Sequence, residues 1–504
     1  MLARVRSATL CGIDAVGVWV EVDIARGLPS FTTVGRPDPA VRESRDRVRA
    51  AIRNAGLDFP MDRITVNLAP ADVRKEGAGF DLPMALGIVA ATEVITPAAL
   101  EGVAAIGELS LDGRVGPVRG VLPVALLCRD EGVRRLLVPL ANAAEAATVQ
   151  GLEVIPVGHV QDAVAYLNGE VAIPPAQAPP WTPAAGDDSS DLADVHGQPF
   201  ARRALEIAAA GGHNLILVGP PGVGKTMLAR RLPGILPPLT LPEAVEVSRV
   251  WSVAGLLPAD DGLVRARPFR APHHTLSEAG LVGGGSVPHP GEVSLAHLGV
   301  LFLDELPELS QRALECLRQP IEEGAVLVSR AIGAARFPAR FQLVCAANPC
   351  RRGCRSIDAC VCTPGERAHY LGKLSAPLLD RIDLHVAVPV VPVADLRAEG
   401  PSESSAQVRE RVLAARDRQA RRFAGSATRV NGRLAGRQLR RVCRLPEPAS
   451  RLLGAAVTRL TLSARAHDRI LRVARTIADL AGEETIAASH VAEAIQYRSL
   501  DRRP

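Results

Sequence analysis

The feature that most constrains the fold is a glycine-rich segment, GPPGVGKT at residues 219–226, which directly follows the apolar run Leu215–Val218. The pattern G-x4-G-K-[ST], placed after a strand and before a helix, is typical of a loop that wraps a phosphate group. Its glycines allow backbone N–H groups to turn inward, and the positive end of the following helix dipole points at the same charge. The sequence therefore predicts a parallel α/β domain with a nucleotide at the carboxyl edge of its sheet.

The residues expected to bind ATP are those of this loop and the residue after it: Gly219, Pro220, Pro221, Gly222, Val223, Gly224, Lys225, Thr226 and Met227. Lys225 should reach the β and γ phosphates, and Thr226 should hold Mg²⁺. Only three of the 59 basic residues are lysines, so a lysine at this position indicates a need for its compact ammonium group.

An acidic pair, Asp304–Glu305, follows a second apolar strand at Val300–Leu303. Taken alone, such a pair is usually a solvated strand end. Its position about eighty residues after the loop favours a functional interpretation instead. We expect Asp304 to join the Mg²⁺ shell and Glu305 to polarise the attacking water.

Three further polar residues are candidate catalytic groups. Asn348 follows a third apolar strand, Phe341–Ala346, and could orient the water beside the γ-phosphate. Arg381 and Arg465 are candidates because an arginine supplied to a neighbour's γ-phosphate stabilises transition-state charge. Spacing alone assigns neither arginine a role, because arginine is by far the commonest basic residue of the chain.

The chain divides into four segments by composition and pattern. Residues 1–172 form an α/β segment, in which the alternation over Val16–Ile24 predicts a half-buried strand. Residues 173–194 are a Pro/Ala-rich linker, residues 195–393 the nucleotide-binding core and residues 394–504 an Arg-rich helical region. The predicted class is therefore α/β, with a parallel-sheet core and a C-terminal helical lid.

The bulk properties are those of a protein of the cytoplasm. The net charge of +5 permits nucleic-acid binding without requiring it. We find no run of the roughly 18–20 apolar residues that a membrane span needs. Asp14 and Glu21 interrupt the region where a signal peptide would be apolar. We therefore expect a cytoplasmic location and no membrane partner.

Four of the nine cysteines, Cys350, Cys354, Cys360 and Cys362, lie within thirteen residues directly after Asn348. Four thiolates can hold zinc tetrahedrally and brace a loop, with no position left open for catalysis. The spacing C-x3-C-x5-C-x-C is not that of a standard zinc ribbon. A structural zinc site and four free thiols therefore both remain open.

From residue 196 onward the sequence resembles the magnesium-chelatase-like branch of the AAA+ ATPases, and the whole chain is similar to the YifB/ComM family. Six segments carry this resemblance: GPPGVGKTM at 219–227, RPFRAPHH at 267–274, GEVSLAHLGVLFLDEL at 291–306, NPC at 348–350, SAPLLDRIDL at 375–384 and ILRVARTIADL at 470–480. The resemblance implies that Asn348 is sensor 1, Arg381 the arginine finger acting in trans and Arg465 sensor 2 in the lid. It also implies a homo-oligomeric ring, hexameric as in such families, because the finger must enter a neighbour's site.

The N-terminal segment is similar to a Lon-protease-like domain of the ribosomal S5 domain 2-like fold, over Gly77–Pro83 and Ile106–Val115. A working Lon site needs a Ser nucleophile and a Lys that lowers its proton affinity. The stretch expected to carry the serine reads Gly79-Phe-Asp-Leu82, and the expected lysine is Leu122. The resemblance thus implies a scaffold without the Ser/Lys dyad, which serves to bind DNA or to organise the ring.

The family resemblance implies an ATP-dependent ring motor that acts on branched or single-stranded DNA, a branch-migration helicase for recombination intermediates of the natural-transformation type. The alternative is a chelatase-like ATPase that remodels a protein partner, and an ATP-dependent protease is a third hypothesis that the missing dyad opposes. ATP and Mg²⁺ are the expected cofactors, with structural Zn²⁺ as a further candidate.

Four further features are left with open interpretations. Related ATPases carry a helix-2 insert and a pre-sensor-1 hairpin facing the pore, here at about residues 255–290 and 326–340. The arginines of residues 409–444 form either a solvated face or a track for DNA phosphates. We expect a loop or pore role for His273–His274, since adjacent side chains should point apart.

Overall fold

The computed structural model describes residues 1–184, 190–285, 288–330, 333–354, 360–392, 402–426 and 428–501. The N-terminal strands are β1 (Leu2–Cys11), β2 (Asp14–Ala25), β3 (Ser30–Val34), β4 (Arg63–Ala69), β5 (Val103–Ala105), β6 (Glu108–Leu109), β7 (Val115–Gly116), β8 (Arg135–Pro139) and β9 (Glu153–Val157). Seven of them form a mixed sheet in the order β3-β4-β2-β1-β5-β8-β9, and β6 and β7 pair as a small hairpin.

The alternation predicted for the second strand is confirmed in β2. Val18, Val20 and Val22 are buried on one face, whereas Trp19 on the opposite face is 44% exposed. The helices of this domain are α1 (Pro39–Asn54), α2 (Asp81–Ala91), α3 (Val121–Asp130), α4 (Ala143–Ala147) and α5 (Val160–Leu167). Every residue of α2 is buried, which explains why its sequence is apolar on all sides.

The core predicted over residues 195–393, called the ATPase core here after the family that it resembles, contains the second large sheet. The remaining strands are β10 (Leu215–Val218), β11 (Phe269–Arg270), β12 (Gly283–Gly284), β13 (His289–Pro290), β14 (Val300–Leu303), β15 (Ala325–Arg330), β16 (Gly333–Pro338), β17 (Gln342–Ala347) and β18 (Leu384–Ala387). The order β11-β14-β17-β10-β18 is parallel throughout. All its loops that follow a strand therefore meet at one carboxyl edge.

Helices cover this sheet and make up the C-terminal region. In the core they are α6 (Pro199–Gly211), α7 (Lys225–Ile235), α8 (Leu241–Ala254), α9 (Glu278–Val282), α10 (Glu292–Leu295), α11 (Gln311–Cys316), α12 (Arg318–Glu323), α13 (Pro364–Gly372) and α14 (Ala376–Leu379). In the C-terminal region they are α15 (Ser405–Arg422), α16 (Gly436–Val442), α17 (Glu447–Leu460), α18 (Ala464–Ala481) and α19 (Ala488–Gln496). The predicted class, α/β with a parallel-sheet core and a helical C-terminal region, is confirmed.

One apolar core joins the sheet to the C-terminal helices. Leu217 and Val344 of the sheet belong to the same buried cluster as Ile470 and Ile477 of α18. The chain also returns to the sheet edge, where the His385 backbone N–H donates to the Tyr497 carbonyl at 2.7 Å. The helical region is therefore packed onto the ATPase core over a continuous apolar interior.

Several arginines of residues 409–444 bind to the protein itself. Arg411 pairs with Glu206 at 2.5 Å and with Glu403 at 2.8 Å. Arg416 donates to the Ala209 carbonyl at 2.7 Å, and burial lowers the pKa of its guanidinium to about 9. These contacts anchor α15 to α6, so neither a solvated face nor a DNA track describes these side chains.

The N-terminal domain is docked against α8 of the ATPase core. The Gly120 N–H donates to the Ser252 carbonyl at 3.1 Å. The buried carboxylate of Glu145 accepts hydrogen bonds from the Ser252 hydroxyl and, at 2.8 Å, from the Leu122 N–H. Burial raises the pKa of Glu145, and these hydrogen bonds act against that shift. The contact between the domains is thus specific and partly polar.

The predicted linker is closely packed where the structure describes it, over 173–184 and 190–194. Trp181 lies against apolar residues of both the N-terminal domain and α8. Leu192 is buried in the apolar cluster of the ATPase core. The packing of these two residues holds the linker against the rest of the protein. The proline-rich composition of the linker did not predict this packing.

Candidate nucleotide-binding and hydrolysis site

The glycine-rich loop lies at the carboxyl edge of the core sheet, between β10 and α7. Gly222 and Gly224 have φ values of +79° and +89°, in the left-handed region that glycine adopts without strain. A Cβ at Gly219 would lie only 2.2 Å from the Val388 carbonyl oxygen, so no larger residue fits there. The glycines are therefore required by this backbone path, and helix α7 begins directly behind the loop at Lys225.

The ammonium group of Lys225 lies inside the loop. It donates to the carbonyl oxygens of Gly219 at 2.7 Å and Pro220 at 2.8 Å, and to Oδ1 of Asn348 at 3.0 Å. Burial lowers its pKa, while the nearby carboxylates of Asp304 and Glu305 oppose that shift. The ammonium group of Lys225 therefore connects the glycine-rich loop after β10 with Asn348 after β17.

Thr226 and Asp304 form the second contact of the site. The Thr226 hydroxyl donates to Oδ2 of Asp304 at 2.9 Å, and Oδ1 of the same carboxylate accepts from the Glu305 N–H at 2.9 Å. A hydroxyl and a carboxylate are hard oxygen ligands of the kind that Mg²⁺ prefers. The donor set therefore fits the expected ion, with Thr226 and Asp304 as the residues that would hold it.

The position of the Glu305 side chain is set by its backbone conformation and by a contact with a histidine. Its φ of +48° lies in the left-handed region, which a non-glycine residue adopts at some energetic cost. Its Oε2 lies 3.3 Å from Nδ1 of His274. The expectation that His273 and His274 point apart was wrong, because their rings lie only 4.1 Å from each other.

His274 is the site residue that sequence reasoning missed. It follows β11, and β11 pairs in parallel with β14, which leads to Glu305. Since neighbouring parallel strands end at the same edge, polar residues after both strands are brought together. That register, rather than the histidine pair itself, was the signal that could have identified the contact.

Arg381 lies at the opposite edge of the sheet. Asn214, the residue immediately before β10, donates through Nδ2 to the Arg381 carbonyl at 3.0 Å. The four residues of β10 span about 13 Å, which separates this edge from the phosphate loop. The guanidinium of Arg381 pairs with Glu322 and donates to the Pro377 carbonyl at 2.5 Å. The structure therefore does not bring Arg381 to its own chain's loop.

Arg465 lies beside Arg381. Its Nη1 is 3.6 Å from Oδ2 of Asp380, and its side chain is 65% exposed. The two arginines and Asp380 line one cavity of about 520 Å³, together with Arg469 and Arg472. Two of the four candidate catalytic residues, Glu305 and Asn348, thus share the loop edge, and the other two share the far edge.

The four clustered cysteines are brought together. Their sulfur atoms all lie within 4.8 Å of one another, and Cys350 and Cys362 are buried. All nine cysteines of the chain are free thiols. Burial raises the pKa of the Cys350 thiol, but the Cys354 N–H and the neighbouring thiols more than offset this and lower it to about 7.

A parallel sheet with a phosphate loop, a hydroxyl–carboxylate pair and an asparagine at its carboxyl edge, packed against a helical C-terminal region, defines a P-loop ATPase of the AAA+ class.

Comparison with known proteins identifies the family within that class. The family model "magnesium chelatase, subunit ChlI" matches residues 191–396, "subunit ChlI of Mg-chelatase" matches 20–142, and "magnesium chelatase, subunit ChlI C-terminal" matches 402–498. YifB of Salmonella typhimurium is 45% identical over 505 residues, which cover 99% of this chain and 98% of that protein. The competence protein ComM of Haemophilus influenzae is 45% identical over 506 residues, with the same coverage. The chain belongs to the YifB/ComM family of magnesium-chelatase-like AAA+ ATPases.

A partial similarity links the chain to Lon protease. The enzyme of Roseiflexus castenholzii is 29% identical over 188 residues, which cover 32% of this chain and 23% of the protease. In the present structure Asp81 is buried and pairs with Arg47 at 2.7 Å, and Leu122 is buried in an apolar cluster.

Among the described residues, no helix is long and apolar enough to cross a membrane.

Proposed function

We propose that this chain is the subunit of a homo-oligomeric, hexameric ring that hydrolyses ATP to move along DNA, and that it drives branch migration of recombination intermediates in the cytoplasm. The observation that carries the ring is the division of the site between two edges of one sheet. Arg381 and Arg465 lie at the edge away from their own chain's phosphate loop, and in the proposed ring they serve another chain's nucleotide. The DNA substrate is supported by the full-length match to the competence protein ComM.

Within the loop edge, each side chain has a role that follows from its position. Lys225 exchanges its bonds to the loop carbonyls for bonds to the β and γ phosphates. Thr226 and Asp304 would hold Mg²⁺, which would supply positive charge to neutralise the phosphates. Glu305 accepts a proton from the attacking water, and Asn348 orients that water.

His274 acts in this scheme as a positioning residue for Glu305. Its ring nitrogen holds the carboxylate at one end of the site, at 3.3 Å. We expect His274→Ala to lower kcat several-fold without changing nucleotide affinity, since His274 contacts the carboxylate that is proposed to act on the water. Equal losses in kcat and affinity would instead indicate a general distortion of the site.

The hairpin β15–β16 is the proposed DNA contact. Its exposed residue Arg336 neighbours Ala335, which lies against Gly12 of the N-terminal domain with 3.3 Å between Ala335 Cβ and an idealised Cβ at Gly12. The domain that the Lon likeness covers thus contacts the hairpin near the end where Arg330 pairs with Gly333. Arg336→Ala should weaken DNA binding and reduce its dependence on salt, because each lost phosphate contact lowers the slope by about one unit.

The deciding experiment measures ATP hydrolysis and strand movement on a labelled four-way or three-stranded DNA junction, with Glu305→Gln as the control. Hydrolysis stimulated by the junction, together with ATP-dependent movement of the branch, is the expected result. Hydrolysis that no form of DNA changes would refute the DNA motor.

The second candidate function is ATP-driven remodelling of a protein partner. It is favoured by the three chelatase-subunit models, which together match most of the chain. Here hydrolysis would respond to the partner protein and not to DNA, so capture with the Glu305→Gln variant in the presence of ATP separates the two. Protease activity is opposed by the buried Asp81–Arg47 pair at the position expected for the nucleophile.

A further inference from the structure

The four-cysteine cluster has the geometry of a closed metal site. Cys350 and Cys354 come from the turn after β17, whereas Cys360 and Cys362 come from the approach to α13, so the sulfurs join two arms of one loop. Their mutual separations stay within 4.8 Å. A zinc ion with bonds of about 2.3 Å to four sulfurs holds those sulfurs about 3.8 Å apart, so only small inward movements are needed.

The chemistry of the cluster selects the ion. Four soft sulfur ligands favour zinc or iron over magnesium or calcium, and four protein ligands leave no open coordination position. All four thiols are free in this structure, as metal binding requires. The site is therefore structural, and its effect must be sought in what the closed loop touches.

The loop touches the nucleotide site at Gly353, between the first two cysteines. Gly353 has a φ of +63°, and a Cβ placed on it would lie 2.9 Å from Cδ of Pro221 in the phosphate loop. Its N–H donates to the Cys350 carbonyl at 3.0 Å, which closes the turn that makes this contact. The backbone at Gly353 thus forms a wall directly against the phosphate loop.

A second connection runs through the strand end. Cys350 follows two residues after Asn348, and the Asn348 side chain accepts a hydrogen bond from Lys225 at 3.0 Å. An ion that fixes the Cys350 sulfur therefore also fixes the backbone that presents Asn348. The cluster reaches the phosphate loop from two directions, by packing at Pro221 and through the hydrogen bond to Lys225.

We propose that Cys350, Cys354, Cys360 and Cys362 bind one Zn²⁺ per chain, and that the metal-closed loop braces the phosphate loop for nucleotide binding. This inference goes beyond the proposed DNA motor. It concerns how the nucleotide pocket is stabilised, whatever polymer or partner the ring acts on.

The metal is tested first on the full-length protein, purified from zinc-supplied cells and washed with chelator. Elemental analysis should give one zinc per chain, and replacement by Co²⁺ should give the intense thiolate-to-cobalt absorption of a four-sulfur site. Cys354→Ser should lose the metal, whereas Cys11→Ser, an exposed cysteine outside the cluster, should retain it. Wild-type protein without zinc and without a cobalt band overturns the site, independently of how any variant folds.

The brace is tested by a change that leaves all four sulfurs in place. Gly353→Ala forces a Cβ against Pro221 in a backbone conformation that alanine rarely adopts, so binding of a fluorescent ATP analogue should weaken about tenfold while zinc content stays at one. The matched control is Gly365→Ala in α13, where a Cβ would meet nothing within 4 Å.

Unchanged affinity in Gly353→Ala overturns the brace. Neither measurement uses DNA, so a failure here is distinct from a failure of the DNA motor.

Discussion

The two edges of the core sheet carry different sets of the candidate catalytic residues. At the carboxyl edge, Lys225, Asn348 and the Thr226–Asp304 pair are joined by hydrogen bonds of 2.9–3.0 Å. At the amino edge, the arginines are held by acidic residues, Arg381 by Glu322 and Arg465 by Asp380. The loop edge has the geometry of a nucleotide site, whereas at the far edge Arg465 is exposed and Arg381 is largely buried against Glu322 and the Pro377 carbonyl. The difference teaches that the candidate residues of one chain do not meet at one site, and in the proposed ring a second copy would bring the two sets together.

The most severe test of this comparison is Arg381→Ala. We expect nucleotide binding to persist and hydrolysis to fall by about a thousandfold or more, since an arginine finger contributes on the order of 10³–10⁵ to turnover. Turnover and binding of a fluorescent ATP analogue, measured on the same preparation, give both values. Mixing this variant with Lys225→Ala should restore part of the activity, because each mixed ring contains some interfaces with both halves intact.

If Arg381→Ala hydrolyses ATP normally at a dilution where the protein is monomeric, the two-edge comparison fails.

Glu305→Gln tests the loop edge in the opposite way. Loss of the group that accepts the water's proton should slow hydrolysis by about a hundredfold or more while ATP stays bound. Single-turnover quenching with radiolabelled ATP would show the trapped nucleotide. Turnover equal to that of the wild type would remove Glu305 from its proposed role and leave the water without a base.

Lys225→Ala should weaken nucleotide binding by about tenfold to a hundredfold, because a hydrogen bond to a charged group is worth roughly 1.5–3 kcal/mol. The measurement is equilibrium binding of the fluorescent analogue to the isolated variant. Affinity at the wild-type level would contradict the assignment of the phosphate loop. Lys373→Ala is the matched control, since Lys373 is an exposed lysine whose ion pair is with Glu308, at 3.6 Å.

Arg465→Ala should give the smallest of these effects, about a tenfold loss of kcat, because the side chain is exposed and its ion pair with Asp380 is long at 3.6 Å. The measurement that sharpens the comparison is how the loss of kcat in Arg465→Ala depends on protein concentration. A defect that appears only above the assembly concentration places Arg465 at the neighbour's nucleotide. A defect of equal size in dilute monomer would place it at the site of its own chain.

The parts of this structure that the sequence predicts are those set by local motifs on neighbouring strands. The loop around Lys225, the Asp304 contact and the position of Asn348 all follow from apolar strands that end at one edge. The inward arginines, exemplified by Arg416 against the Ala209 carbonyl, depend on how α15 packs on α6, which no spacing specifies. His274 was missed for the same reason, because its contact with Glu305 arises from strand register across β11 and β14.

The docking of the N-terminal domain has a practical consequence for anyone who would study the motor alone. Trp181, Val245 and Leu263 pack against the apolar cluster of that domain. Deleting the N-terminal domain would expose these side chains to water and create a hydrophobic patch of the kind that drives aggregation. An inactive truncated enzyme would therefore reveal nothing about what the domain recognises. Single substitutions on the outer face of the domain keep its interface with α8 intact, so they are the better way to test what the domain binds.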